Sequence, residues 1–246
     1  MSTLRIVTKD LVGLLGDLTH TAASDPAVGA VAGVLLHTTR GYIGADPGQT
    51  TILVGTSTTG RVAGHTYAGA SGTMEPALWQ IEDVRCVVAV LKPRTRDNPD
   101  HAVEIRVEDD HVTVAEDPDL FGDGLTLTFG LGSIEDYPRS VWSVLSDVHV
   151  RPAPAGEDGP VPAMPRTDFS PGLFDPFVKV GKSRGALIEL YRYHQRLPLL
   201  VQIGDRYRGA ILPYRWDGDG TSGGMSPSGD VYPPALPVPD GGGGDD

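Results

Sequence analysis

Two short stretches and a scattered set of histidines hold residue types that carry chemistry in other proteins, and spacing decides against each. Val180-Gly181-Lys182-Ser183 has the lysine and hydroxyl of a phosphate loop, but that pattern needs glycine at 176, where Pro176 stands. Asp117-Pro118-Asp119-Leu120-Phe121-Gly122 begins like a calcium loop, yet Phe121 occupies the third ligand place and the closing glutamate is missing. The seven histidines form no H-E-x-x-H or H-x3-H pair, and no G-x-S-x-G elbow occurs. Cys86 lies in an apolar helical run and reads as a small buried hydrophobe rather than a nucleophile. These residues supply no catalytic group, no metal site and no cofactor site, and the chain reads as a non-enzyme.

The basic residues are better organised. Arg85 and Lys92 are seven apart, hence on one face of a helix, with Arg94 and Arg96 just beyond; Lys179, Lys182 and Arg184 repeat the arrangement. Singly, each could be a solvated helix end favoured by the macrodipole. Together they suggest a surface that faces phosphates.

The net charge of −12 opposes such a surface only if it is evenly spread. It is not: six of the acids (Asp217, Asp219, Asp230, Asp240, Asp245, Asp246) fall in residues 217–246, which hold no Lys or Arg. That segment has 9 Gly and 5 Pro, too little apolar surface to offset the entropy of ordering it, and reads as a disordered acidic tail. A single cysteine excludes an internal disulfide framework, and no leader or membrane-spanning run is visible, so a cytoplasmic protein is expected.

Elements that could position these residues follow from periodicity. Residues 4–8 read as a strand, and Asp10 as the N-cap of a helix with Leu11, Leu14, Leu15 and Leu18 on one stripe. Three β-rich runs follow at 27–39, 50–58 and 61–68. The order then repeats: segment 76–92, with Ile81, Val84, Val88 and Leu91, reads as a helix stopped by Pro93 and precedes strands at 101–109, 111–117 and 125–132. Residues 146–168 are a Pro/Gly-rich linker. Beyond it, Ser170-Pro171 opens a third helix carrying Leu173, Phe174, Phe177 and Val178, followed by strands at 186–193, 198–204 and 207–215. The expected fold is α+β, built of repeated β-α-β-β-β units with helices on one face of antiparallel sheets: residues 1–145 hold two units, and 169–216 a partial second domain of one unit.

Several short motifs, in this order, resemble a sliding clamp of the bacterial DNA polymerase III β-subunit type, in a reduced, divergent and phage-type form. The family's T-D-x-x-R turn has its counterpart in Thr58-Thr59-Gly60-Arg61, its F-P passage in Tyr137-Pro138, and its closing M-P-x-R strand in Leu212-Pro213-Tyr214-Arg215. The turn aspartate is replaced, leaving Thr58 or Thr59 to hold that backbone. A complete clamp domain has two units, so a fourth unit is missing where the linker stands.

The resemblance implies a DNA-clamp fold and a non-catalytic processivity factor that encircles double-stranded DNA without reading sequence, as a homo-oligomeric ring. It implies DNA contact through Arg85, Lys92, Arg94, Arg96, Lys179, Lys182 and Arg184. It further implies that DNA polymerase and clamp loader dock through short linear peptides in an apolar groove formed by Arg61, Val62, Pro138, Trp142, Ile211, Leu212, Pro213, Tyr214 and Arg215. The alternative is a clamp-derived interaction module or regulator that does not encircle DNA.

Overall fold

The structure, a computed structural model, describes residues 2–43, 48–108, 110–117, 124–141, 145, 171–191 and 198–212. Strand β1 (Ser2–Val7) runs without a connection into helix α1 (Thr8–Leu18). The expected cap is displaced: Val7 is the N-cap residue and Asp10 lies in the first turn, where its carboxylate still favours the positive helix end. The open Thr8 amide donates to the His101 carbonyl at 2.8 Å. Leu11, Leu14, Leu15 and Leu18 form the buried stripe.

Strands β2 (Gly33–Gly41), β3 (Thr50–Thr58) and β4 (Val62–Gly69) form a meander. The first β-rich run is shorter than expected, because Pro26–Val31 is a 3-10 segment whose Ala27 amide is capped by the Asp25 carboxylate. The two-residue β5 (Ser71–Gly72) and then β6 (Ala77–Gln80) precede α2 (Ile81–Leu91) and a helical turn at Arg94–Asp97. Strands β7 (Ala102–Glu108), β8 (His111–Glu116) and β9 (Thr126–Gly132) complete the second unit. The third has α3 (Pro171–Arg184), β10 (Ile188–Tyr191), β11 (Leu199–Ile203) and β12 (Tyr207–Ile211).

All twelve strands join in one antiparallel order, β10-β11-β12-β4-β3-β2-β6-β9-β8-β7-β1-β5. The first two units exchange their leading strands: β1 pairs with β7 of the second unit, and β6 pairs with β2 of the first. Each sheet is therefore incomplete without the other unit's chain. The third unit joins differently, through the β12 ladder to β4 (Ile211↔Val62 to Tyr207↔Thr66), and β10 has one strand neighbour among the described residues.

Helices α1 and α2 cover one face of both exchanged sheets. Their leucines and valines share one core with Leu4 and Ile6 of β1, Val34 and Leu36 of β2, Trp79 of β6 and Val103, Ile105 and Val112 of β7 and β8. The Trp79 ring meets Phe129 edge-on at 5.0 Å between centroids. Burying each such side chain stabilises by about 1.5–3 kcal/mol, so this shared core dominates the cohesion of the first two units. A second core sits under α3, where Phe177 and Val180 pack on Val62, Val201, Ile203, Tyr207 and Ile211.

The junction between the two cores depends on absent side chains. Gly64 of β4 and Gly209 of β12 face each other across the ladder. A Cβ at Gly64 would strike the Thr21 hydroxyl and, at 2.5 Å, the Tyr207 hydroxyl; one at Gly209 would strike the Phe177 ring and the Ala63 carbonyl. The expected stripe of α2 shifts slightly, with Val87 buried in place of Val88, and Cys86 is exposed rather than buried. A helix turns about 100° per residue, so Cys86 is carried off the face that Val84 and Val87 bury.

Candidate nucleic-acid and partner interfaces

The free side of the helices carries all four lysines of the chain: Lys9 on α1, Lys92 at the end of α2, and Lys179 and Lys182 on α3. A groove of about 480 Å³ lies along α1 and is walled by the other two helices. Lys9, Gly13 and Gly16 of α1 and His20 just beyond it line the groove together with Val88 of α2, its C-cap residue Lys92, Ser183 and Arg184 of α3, and Arg206 of the β11–β12 turn. Burial, reinforced by Lys179, holds the His20 imidazole below its ordinary range, so it stays neutral near pH 7.

The basic residues expected to contact DNA divide by what they touch. Arg85, Lys92, Arg96 and Lys182 are exposed and make no ion pair among the described residues. Arg94 bridges to Glu116 at 3.1 Å, and Lys179 to Asp175 one helical turn away at 2.7 Å. Arg184 is held by the fold: its guanidinium binds Asp17 at 2.6 and 2.7 Å and Thr66 at 2.9 Å, and lies over the Tyr207 ring. Burial keeps the Asp17 carboxyl above its ordinary range, although Arg184 and Ser183 pull the other way. Arg184 thus ties α3 to α1, and its charge is already matched.

Lys9 and Arg206 belong to the groove and are absent from the set read off the sequence. Lys9 had a usable signal, since it lies on α1 opposite the stripe of leucines. Arg206 had none, because its place depends on how a hairpin turn packs against another unit.

On the other side of the sheet the three motif regions converge. The turn between β3 and β4 is held by both threonines: Thr58 Oγ1 accepts from the Gly60 amide at 2.9 Å and donates to the Val62 carbonyl at 2.7 Å, while Thr59 Oγ1 accepts from the Arg61 and Val62 amides at 3.3 Å. Gly60 has φ +82°, a conformation glycine adopts without strain. The Leu212 amide donates to the Arg61 carbonyl at 3.0 Å, which sets the last described residue beside the turn. Val141 and Leu145, following Tyr137-Pro138, pack on Ala63, Ala210 and Leu200.

Of the residues expected to form the partner groove, Arg61 and Leu212 are exposed and Pro138 is half-buried. Val62 and Ile211 are core instead: they are opposite each other in the ladder and packed with Phe177 on the helix side. Strand alternation sends their neighbours Ala63 and Ala210 to the outer face, against Val141 and Leu145. Trp142, Pro213, Tyr214 and Arg215 lie outside the described residues. A small apolar recess on this face is lined by Leu145, Tyr191, Leu200, Val201, Gln202, Arg208 and Gly209.

No group of three or more His, Cys, Asp or Glu among the described residues could hold a metal ion, and no helix there is long and apolar enough to cross a membrane. No protein-family model matches the chain, and no curated protein matches it. Solved structures do. The DNA polymerase III β chain of Streptococcus pneumoniae aligns over 89% of this chain and 66% of its own length, with TM-score 0.56 and 11% identity. The DNA polymerase sliding clamp of Pseudomonas aeruginosa aligns over 87% and 67%, with TM-score 0.58 and 14% identity. The DNA polymerase III β subunit of Thermotoga maritima aligns over 88% and 66%, with TM-score 0.56 and 12% identity. The chain therefore spans about two thirds of the length of these structures. The likeness establishes the sliding-clamp fold: an α+β architecture of antiparallel sheets with helices on one face.

Proposed function

We propose that the chain is a sliding-clamp-like processivity factor, non-catalytic, that encircles duplex DNA as a homo-oligomeric ring in the cytoplasm. Through an apolar groove it recruits polymerase and clamp loader by their short linear peptides. The observation that carries this reading is the placement of all four lysines on the helix side of a net-acidic chain with the clamp fold. Lysines placed there attract phosphates to that side, which suits a protein that holds DNA by topology rather than by base contacts.

Retention on nicked circular DNA with release on linearisation tests encirclement. Equal retention on linear and circular DNA sinks it. Replacing Lys92, Lys179 and Lys182 by Glu is expected to abolish loading, because two lysines without an ion pair among the described residues and the Asp175-paired Lys179 all become anions facing phosphate.

A second reading has its own support. The β10 edge, covered in the first unit by β6 and in the second by β1, has no covering strand among the described residues. A clamp-derived module that binds replication proteins without encircling DNA leaves that edge uncovered, whereas a ring pairs it with another copy. Light scattering at micromolar concentration distinguishes the two: a persistent monomer supports the module, an assembled species the ring. The peptide site is shared by both readings. Leu212→Ala is expected to weaken binding of an apolar peptide by about tenfold, as removal of an exposed anchor does, without a loss of thermal stability.

A further inference from the structure

The groove along α1 is lined by Lys9, Lys92 and Arg206, with Asp205 beside Arg206, and by two carboxylates, Asp10 and the Arg184-paired Asp17; segment 217–246 of the same chain carries six aspartates with no Lys or Arg. Lys9 and Lys92 are exposed, with no ion pair among the described residues, so their charge is available to an incoming anion. The two features are also within reach of each other. The chain leaves the described fold at Leu212, and the five residues of β12 lead back from there to Arg206. From Leu212 to Arg206 is six residue steps, about 20 Å at strand spacing. A Gly- and Pro-rich chain of 30 residues has a root-mean-square span of about 30 Å.

We propose that this acidic segment is a tethered competitor for the groove: its aspartates lie across Lys9, Lys92 and Arg206, and a duplex must displace them to reach the helix side. Carboxylates held on a tether of this length are present at an effective concentration on the order of millimolar, enough to occupy a site of weak intrinsic affinity. Screening weakens each exposed contact, so the competition is strongest at low salt. Its consequence is discrimination: a short or weakly held stretch of DNA loses to the tail, whereas DNA threaded through an assembled protein does not.

The contact and its effect are tested separately, because the effect rests on the DNA reading above and the contact does not. In the full chain without DNA, carbodiimide coupling is expected to join Lys9 or Lys92 to Asp230, Asp240, Asp245 or Asp246. The Lys179–Asp175 pair serves as internal control. Lys9→Gln with Lys92→Gln is expected to remove these products, and a mixture of light- and heavy-isotope protein is expected to give them within single chains. Products between chains, tail coupling spread equally over Lys182, or no tail coupling beside an intact control overturns the proposal.

In the second arm, a chain ending at residue 216 is expected to bind linear duplex about 3–10-fold more tightly at low salt. That gain is expected to vanish by about 0.3 M salt. Unchanged affinity overturns the competition. If neither chain binds duplex while coupling persists, the tail contact stands and the DNA reading fails.

Discussion

The first two units and the third are built from the same kinds of element but are held together in different ways. The first two exchange leading strands, so β1 completes the sheet of β7–β9 and β6 completes that of β2–β4, over one core. The third gives up no strand to another unit among the described residues. It attaches by one five-residue ladder, a glycine pair and the Arg184–Asp17 bridge, with its own core under α3. Exchange makes two units unfold as one, whereas an edge-to-edge ladder leaves a seam. Local opening is therefore expected to begin in the third unit.

Four substitutions probe that contrast. Phe177→Ala is expected to cost the most, about 3–5 kcal/mol by the usual effect of emptying a core aromatic site. Hydrogen exchange should show the loss in β10–β12 while β7–β9 keep their protection; equal loss in both would mean there is no seam. Gly209→Val is expected to cost about 3 kcal/mol, because the new side chain meets the Phe177 ring and the backbone of β4. Denaturant unfolding of this variant should change from one transition to two.

Asp17→Ala comes next, at about 2 kcal/mol, reduced from the value for a fully buried pair because Arg184 is partly exposed. A double-mutant cycle with Arg184→Ala should return most of that figure as coupling, since both groups act on the one junction. The smallest effect concerns His20. Burial holds its folded-state pKa below the ordinary imidazole value of about 6.5, so the unfolded chain takes up the proton first as pH falls. Stability is therefore expected to drop from about pH 6.5 down to the lower folded value, and His20→Asn should flatten that part of the profile.

Much of the fold was legible because periodicity identifies element type and the face an element buries. The leucine stripe of α1, the alternation of β7 and the turn after β11 needed nothing else. Periodicity does not identify which strand lies alongside, and so the exchange of β1 and β6 was invisible in the sequence. It also fails where phase is unanchored: Val62 and Ile211 alternate correctly, but only the ladder shows that they face Phe177 and that Ala63 and Ala210 face the other way. Cys86 was misplaced for the related reason that one residue of rotation on a helix separates burial from exposure.

The candidate sites were legible to the extent that they are local. Thr58 to Arg61 closes its turn with its own hydroxyls, so the motif predicts its geometry. Arg184 reads as one more cation at a helix end until Asp17, distant in sequence by 167 residues, is brought against it. Charge at a position says nothing of whether a partner has already matched it.

The facing glycines at 64 and 209 have a further consequence for the heredity of this chain. A contact surface that works only when two side chains are missing cannot drift freely on either side: position 64 is bounded by Thr21 and Tyr207, and position 209 by Phe177 and the backbone of Ala63. The same seam could serve as a cut: a chain divided between residues 145 and 171 yields two pieces whose complementary strands, β4 and β12, are already shaped to find each other. Reassembly of separately expressed halves would turn this junction into a reporter of the fold's own completion.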